Sequence, residues 1–285
     1  MISFFANIFG YLLNALYILV KNYGLAIILF SIIVKIVLLP VSISQQKSMK
    51  KTAKIQEKMK ALKVKYKNDQ EALNRETMAL YKNEKVNPFS GCLSGIVQIV
   101  LLFAIFYLVR SPLTYMKKVD PSVIENYTNE IQQEQEGSKK SAYPEIQIIE
   151  QKGQTNEEVN INMDFLGINL SKVPTADLND WKVYIIPVLY VISSFISMRI
   201  TTQMQKSMKA KKEEVIEVTE EGKKTEEVDP MESANKSMTM LMPIMSISIA
   251  IIAPLGLALY WLVNNILMIL ERMILNKYLG EPKEE

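Results

Sequence analysis

Lys35 is the residue whose surroundings most narrow what this chain can do. It stands in the run Asn22 to Ile43, NYGLAIILFSIIVKIVLLPVSI, which is otherwise long and apolar enough to span a bilayer. A charge inside a span is costly; it normally faces a bundle interior or a wet cavity and marks a path for substrate or ion. Counted from Asn22 at about 1.5 Å per residue, Lys35 lies roughly 20 Å into a hydrocarbon core of about 30 Å, nearer one face than the middle. It is a candidate functional site by default. The alternative is snorkelling, in which the lysine stem carries the ammonium to the nearer interface. Polar residues in other apolar windows include Gln98, Ser193, Ser194 and Ser197, a type that usually hydrogen-bonds between helices. Tyr260 and Trp261 also suit a belt at the membrane interface.

Composition removes most other chemistry. The chain has no histidine, which excludes histidine-based zinc sites, Ser-His and Cys-His nucleophile systems and histidine-ligated haem. The single cysteine, Cys92, has no partner for an intramolecular disulfide and reads as a small packing residue. No nucleotide-binding motif is present. The expectation is a protein that is not an enzyme and takes no cofactor and no metal.

Hydrophobic and charged residues are segregated into blocks, as in a membrane protein with solvated loops. Apolar windows place five spanning helices at 22–43, 91–110, 181–200, 238–254 and 256–275. Ala253 to Gly256, APLG, is short enough to require a tight hairpin between the last two. Block 44–90 carries twelve lysines and arginines against five acids, whereas 111–180 carries six against twelve. The positive-inside rule therefore puts 44–90 in the cytoplasm and 111–180 outside. Loop 201–237, with Lys206, Lys209, Lys211, Lys212 and Lys236, and tail 276–285, with Lys277, agree with an outside N-terminus and a cytoplasmic C-terminus.

Residues 1–21 carry a narrow polar stripe, Ser3, Asn7, Gly10, Asn14 and Lys21, which predicts an amphipathic helix lying in the headgroup plane. A spanning helix or a cleaved signal is the alternative, against which stands the lack of a basic region before the apolar stretch. Block 44–90 is rich in helix formers and breaks at Lys67 to Gln70, where Asn68 or Asp69 supplies a helix cap, so a helical hairpin is predicted. Its charges are either a solvated face or a basic platform for anionic lipids or ribosomal RNA. Val215 to Asp229 reads as a charged linker. Within 111–180, PEIQIIEQ and EEVNINMDFLGINL look strand-like and suggest a small ordered patch without a chemical motif. Met240, Met242 and Met245 read as packing residues.

Three stretches resemble the YidC family of membrane protein insertases, related to the mitochondrial oxidase-assembly and chloroplast Albino proteins. They are NYGLAIILFSIIVKIVLLPVSISQQKSMKK (Asn22 to Lys51), ALYKNEKVNPFSGCLSGIVQIVLLFAIFYLVR (Ala79 to Arg110) and PLGLALYWLVNN (Pro254 to Asn265). The resemblance implies an all-α polytopic protein with five transmembrane helices around a hydrophilic groove closed toward the outside. It implies a groove cation that receives polar ends of incoming chains. Lys35 matches the position of the family's arginine, a departure that keeps the charge and loses the bidentate fork. Ser31 and Trp261 match groove positions, and Gln98 and Ser193 join them. The implied partners are nascent membrane proteins, the secretory translocon and ribosome through the basic hairpin and tail, and anionic lipids, with no DNA; the implied location is the bacterial plasma membrane. The rivals are a small-solute transporter or channel, which usually carries acids within its spans, and an assembly factor that only holds partners together.

Overall fold

The computed structural model describes residues 2–66, 69–84, 90–134, 141–213 and 247–278. Among them helices dominate: α1 (Ile2–Val20), α2 (Tyr23–Lys65), α3 (Gln70–Asn83), α4 (Ser90–Arg110), α5 (Pro121–Glu134), α6 (Pro144–Lys152), α7 (Ile185–Glu213), α8 (residues 247–252) and α9 (Leu255–Tyr278). A π-helical turn, Leu113–Lys117, follows α4, and a 3-10 turn, Trp181–Tyr184, leads into α7. β1 (Asp164–Phe165) and β2 (Ile168–Asn169) form one short antiparallel hairpin with Asp164 opposite Asn169. Among the described residues four helical segments are long and apolar enough to cross a membrane: Ile2–Val20, Tyr23–Lys47, Trp181–Ile200 and Leu255–Leu275. The fourth span expected at 238–254 is described only from residue 247, and the linker expected at Val215 to Asp229 lies outside the described residues.

The chain divides into two compact units, one of Met1–Ile33 with Ala104–Glu285, the other Val34–Phe103. In the second unit α2 continues as one helix past Pro40 to Lys65. Pro40 has no N–H to give the carbonyl of Ile36, four residues back, so the helix loses one hydrogen bond there. Asp69 caps α3, its carboxylate accepting from the Ala72 N–H at 2.9 Å. Tyr81 donates to the Met59 sulfur at 3.4 Å and Lys58 pairs with Glu84, which ties α3 to the last turns of α2 over buried Ile55, Met59 and Ala72.

In the first unit the segment between α4 and α7 is far more built than a small patch. PEIQIIEQ, expected to be strand-like, is the helix α6. A run this short is ambiguous by periodicity, and its ends decide: Pro144 sits at the first position, Glu145 in the first turn and Lys152 in the last, each favoured there. Of the second run only the β1–β2 pair is strand. Glu145 in turn caps the π-helical turn from outside, accepting from the Thr114 N–H at 3.0 Å and the Thr114 hydroxyl at 2.6 Å. Burial pushes its carboxyl above the ordinary carboxylate range, and the bonds from Thr114, Leu113 and Ser111 oppose this only in part.

This segment is hydrogen-bonded to two corners of the chain, one between α1 and α2 and one between α8 and α9. At the corner between α1 and α2, Tyr23 N–H donates to the Asn162 carbonyl at 3.0 Å, Asn162 N–H to the Tyr17 hydroxyl at 2.8 Å, and Asn22 to the Asp164 carbonyl at 2.6 Å. Phe165 lies on the backbone of Gly24. At the turn between α8 and α9, Leu255 N–H donates to Lys172 at 2.9 Å, Gly256 N–H to Leu170 at 3.0 Å, and Thr175 N–H to Ile251 at 3.3 Å. Lys172 itself bridges Glu150 and Asp177 at 2.7 and 3.0 Å.

The polar stripe of α1 has its partner in the same segment. A Cβ on Gly10 would fall 1.8 Å from the Tyr115 carbonyl oxygen, so only glycine lets α1 approach the π-helical turn this closely. Lys118 lies over the Tyr11 ring at 4.5 Å and donates to Asn7. On the neighbouring face Phe9 meets Phe30 of α2 edge to face, with centroids 5.6 Å apart.

Candidate functional site

α7 and α9 pack along a layered interface that carries two of the expected site residues. Ser193 is buried on α7, donating to its own Tyr190 carbonyl at 2.8 Å. Across the interface the side-chain amide of Asn265 donates to Ser193 Oγ at 3.1 Å and to Ser194 Oγ at 3.0 Å. One turn earlier on α9, Trp261 lies against Tyr190 with ring centroids 5.8 Å apart and planes inclined at 34°. Ser193 and Trp261 therefore belong to one continuous patch, Tyr190 and Trp261 above, Ser193, Ser194 and Asn265 below. Its polar part is a hydrogen-bonded tie between helices, the ordinary role of serine and asparagine in a span. Ser197, one turn on from Ser193, is buried as well.

Small residues explain how the sequence brings these helices together. Serine side chains on α7 leave room for the larger Asn265, and a buried polar group at this depth is stable only when paired. The opposite face of α7 is apolar and exposed at Val188, Leu189, Ile192, Phe195 and Ile196, a spacing of three and four that makes one stripe.

Ser31 is buried on α2 in the first unit, and its hydroxyl donates to the Ile27 carbonyl of its own helix at 2.7 Å. Lys35 follows one helical turn later on α2, is half-buried and falls in the second unit. Gln98 is on α4; its side chain lies outside the described residues, as does that of Cys92. Asn265 was not singled out from the sequence. The signal was there, an amide inside the apolar run of α9, but nothing in one chain says which serines it will meet. Among the described residues no cluster of acids, cysteine or histidine is placed to hold a metal.

A model of the family described as 60Kd inner membrane protein matches residues 15–282. The chain is 46% identical over 102 residues to a protein named membrane protein insertase YidC from Fusobacterium nucleatum, a match covering 36% of this chain and 50% of that one. It is 51% identical over 85 residues to the protein of the same name from Geobacter sulfurreducens, covering 30% of this chain and 16% of the relative. For that from Francisella tularensis the figures are 40% over 109 residues, 38% and 20%. The matched stretches thus span half or less of each relative's length.

Proposed function

We propose, because the chain belongs to the 60Kd inner membrane protein family, that it is a membrane protein insertase, receiving hydrophilic ends of nascent membrane proteins and releasing their apolar segments sideways into lipid. The family match over residues 15–282 carries this reading. In it Lys35, Ser31, Trp261, Gln98 and Ser193 line a groove that is wet part of the way through the membrane. Such a groove shortens the hydrocarbon path of a polar segment, and the Lys35 ammonium attracts acids in it. The client's own span of about 20 apolar residues then leaves into the bilayer because burying it in hydrocarbon is favourable. The work is physical, with no covalent step.

In the same reading the spans have the order and orientation that the loop charges favour, with the α2–α3 hairpin in the cytoplasm as a basic platform for ribosome, translocon or anionic lipid. The segment between α4 and α7 covers the outer end. α1 lies in the outer interface instead of crossing. Its contacts support this, since Asn7, Gly10, Tyr17 and Lys21 all meet the outer segment, over about 21 Å of helix at 1.5 Å per residue. A helix running straight across the membrane would meet an outer loop only at one end.

The test is reconstitution. The purified full chain in liposomes is given a small single-spanning client with an acidic tail, and translocation of that tail is read by protease protection. The expected result is protection well above that of empty liposomes. Equal protection in both would overturn the proposal.

A further inference from the structure

The hairpin between β1 and β2 turns through Leu166 and Gly167, both at positive φ, 55° and 77°. Such two-residue turns favour asparagine or aspartate before the glycine, because a short polar side chain tolerates the left-handed backbone and suits water. Here the position is held by leucine, 87% exposed, while its neighbour Phe165 packs inward on Gly24. Both costs, strain and exposure, fall on one side chain. The turn is fastened to the 3-10 turn that leads into α7, where Lys182 Nζ donates to the Gly167 carbonyl at 3.3 Å. Beside that lysine is Trp181, 70% exposed, the first residue of the candidate span Trp181–Ile200. Seven residues on begins the exposed apolar stripe of Val188, Ile192 and Phe195.

We infer that Leu166 and Trp181 form a membrane anchor, both side chains entering the interfacial layer of the leaflet in which α7 begins. The argument is continuity. The stripe on α7 is the face a spanning helix shows to lipid, and tryptophan is enriched where such a face leaves the hydrocarbon. A turn tied to that end carries its leucine at the same level, where an apolar side chain is buried about 5–10 Å into the headgroup and acyl boundary. The anchor fixes the hairpin at the bilayer surface, and through Asn162, Asp164 and Phe165 it holds the corner between α1 and α2 there too.

The experiment uses the full chain in phosphatidylcholine and phosphatidylglycerol liposomes, with Cys92→Ser and Leu166→Cys carrying an environment-sensitive NBD fluorophore. Ser141→Cys, at an exposed position between α5 and α6, serves as the aqueous reference. The anchor predicts blue-shifted emission at 166, quenching by lipids with a shallow nitroxide several-fold above that at 141, and weaker quenching by iodide. Emission and quenching at 166 equal to those at 141 would overturn it. Protection from both quenchers would also do so, pointing to protein contact. A second readout leaves position 166 native: Trp261→Phe makes Trp181 the only tryptophan, since the chain has two. Shallow brominated lipid should quench its emission, and absence of that quenching counts against the anchor independently of the cysteine variant.

Discussion

Replacing Asn265 by leucine removes the amide that bonds two serines across the α7–α9 interface and keeps the number and branching of side-chain heavy atoms. Each interhelical hydrogen bond in a membrane protein contributes about 0.6 kcal/mol on average, so the two at 3.1 and 3.0 Å together hold the pair by about 1.2 kcal/mol, roughly eightfold in the unfolding equilibrium. The cost stays this small because the serines are not stranded. A serine in a helix can donate back to a carbonyl of its own chain, as Ser193 does to Tyr190 at 2.8 Å. The assay is unfolding by sodium dodecyl sulfate in mixed micelles, followed by tryptophan emission, on wild type, Asn265→Leu, Ser193→Ala with Ser194→Ala, and the combined variant. The serine changes should cost about as much as Asn265→Leu in the wild type and little once Asn265 is gone. A coupling within about 0.3 kcal/mol of zero refutes the tie.

Gly10→Ala forces α1 away from the Tyr115 carbonyl, because a Cβ at 1.8 Å must retreat by more than an ångström; overpacking of this kind costs about 1–3 kcal/mol, to be read in the same detergent titration. Glu145 gives a pH dependence. Its raised pKa means that the unfolded chain releases the proton first, so stability of the segment between α4 and α7 is fullest at acid pH and falls as pH rises from the ordinary carboxylate range through the folded value. Glu145→Gln should flatten that slope in amide exchange of residues 111–117, and an unchanged slope would assign it elsewhere. For orientation, cysteines at Ser141 and Lys82 in a Cys92→Ser chain should react with an impermeant reagent from outside and only after permeabilisation, respectively; equal labelling of both in intact cells would refute the loop assignment.

The apolar helices expected at 22–43, 181–200 and 256–275 were legible because a run of about 20 apolar residues has few other uses, and Asp69 was legible as a cap because it precedes a helix-forming block at a break. α6 was not, since Ile146 and Ile148 alternate like a strand while Ile146 and Ile149 fit a helix equally well, and Pro144 and Lys152 at the ends decide. The polar stripe of α1 was visible, but its partners were not. Asn7 and Gly10 meet Lys118 and Tyr115, more than a hundred residues away, and no local pattern encodes such a pairing. The same holds for Asn265 and Ser193. Residue types disclosed that helices are tied, whereas which ones meet is a property of the packed bundle.

The central claim is tested most directly by a charge series at Lys35 in reconstituted liposomes, scored on one client with an acidic tail and on the same client with that tail neutralised. Two unit charges about 6 Å apart, in surroundings with an effective dielectric constant near 40, interact by about 1.4 kcal/mol, roughly tenfold in rate or occupancy. Lys35→Arg should therefore retain insertion of the acidic client, Lys35→Ala should lose about that factor and Lys35→Glu more, while the neutral client responds little and all variants remain in the membrane. Full activity of both Lys35→Ala and Lys35→Glu on the acidic client would contradict the account and leave snorkelling as the role of this lysine.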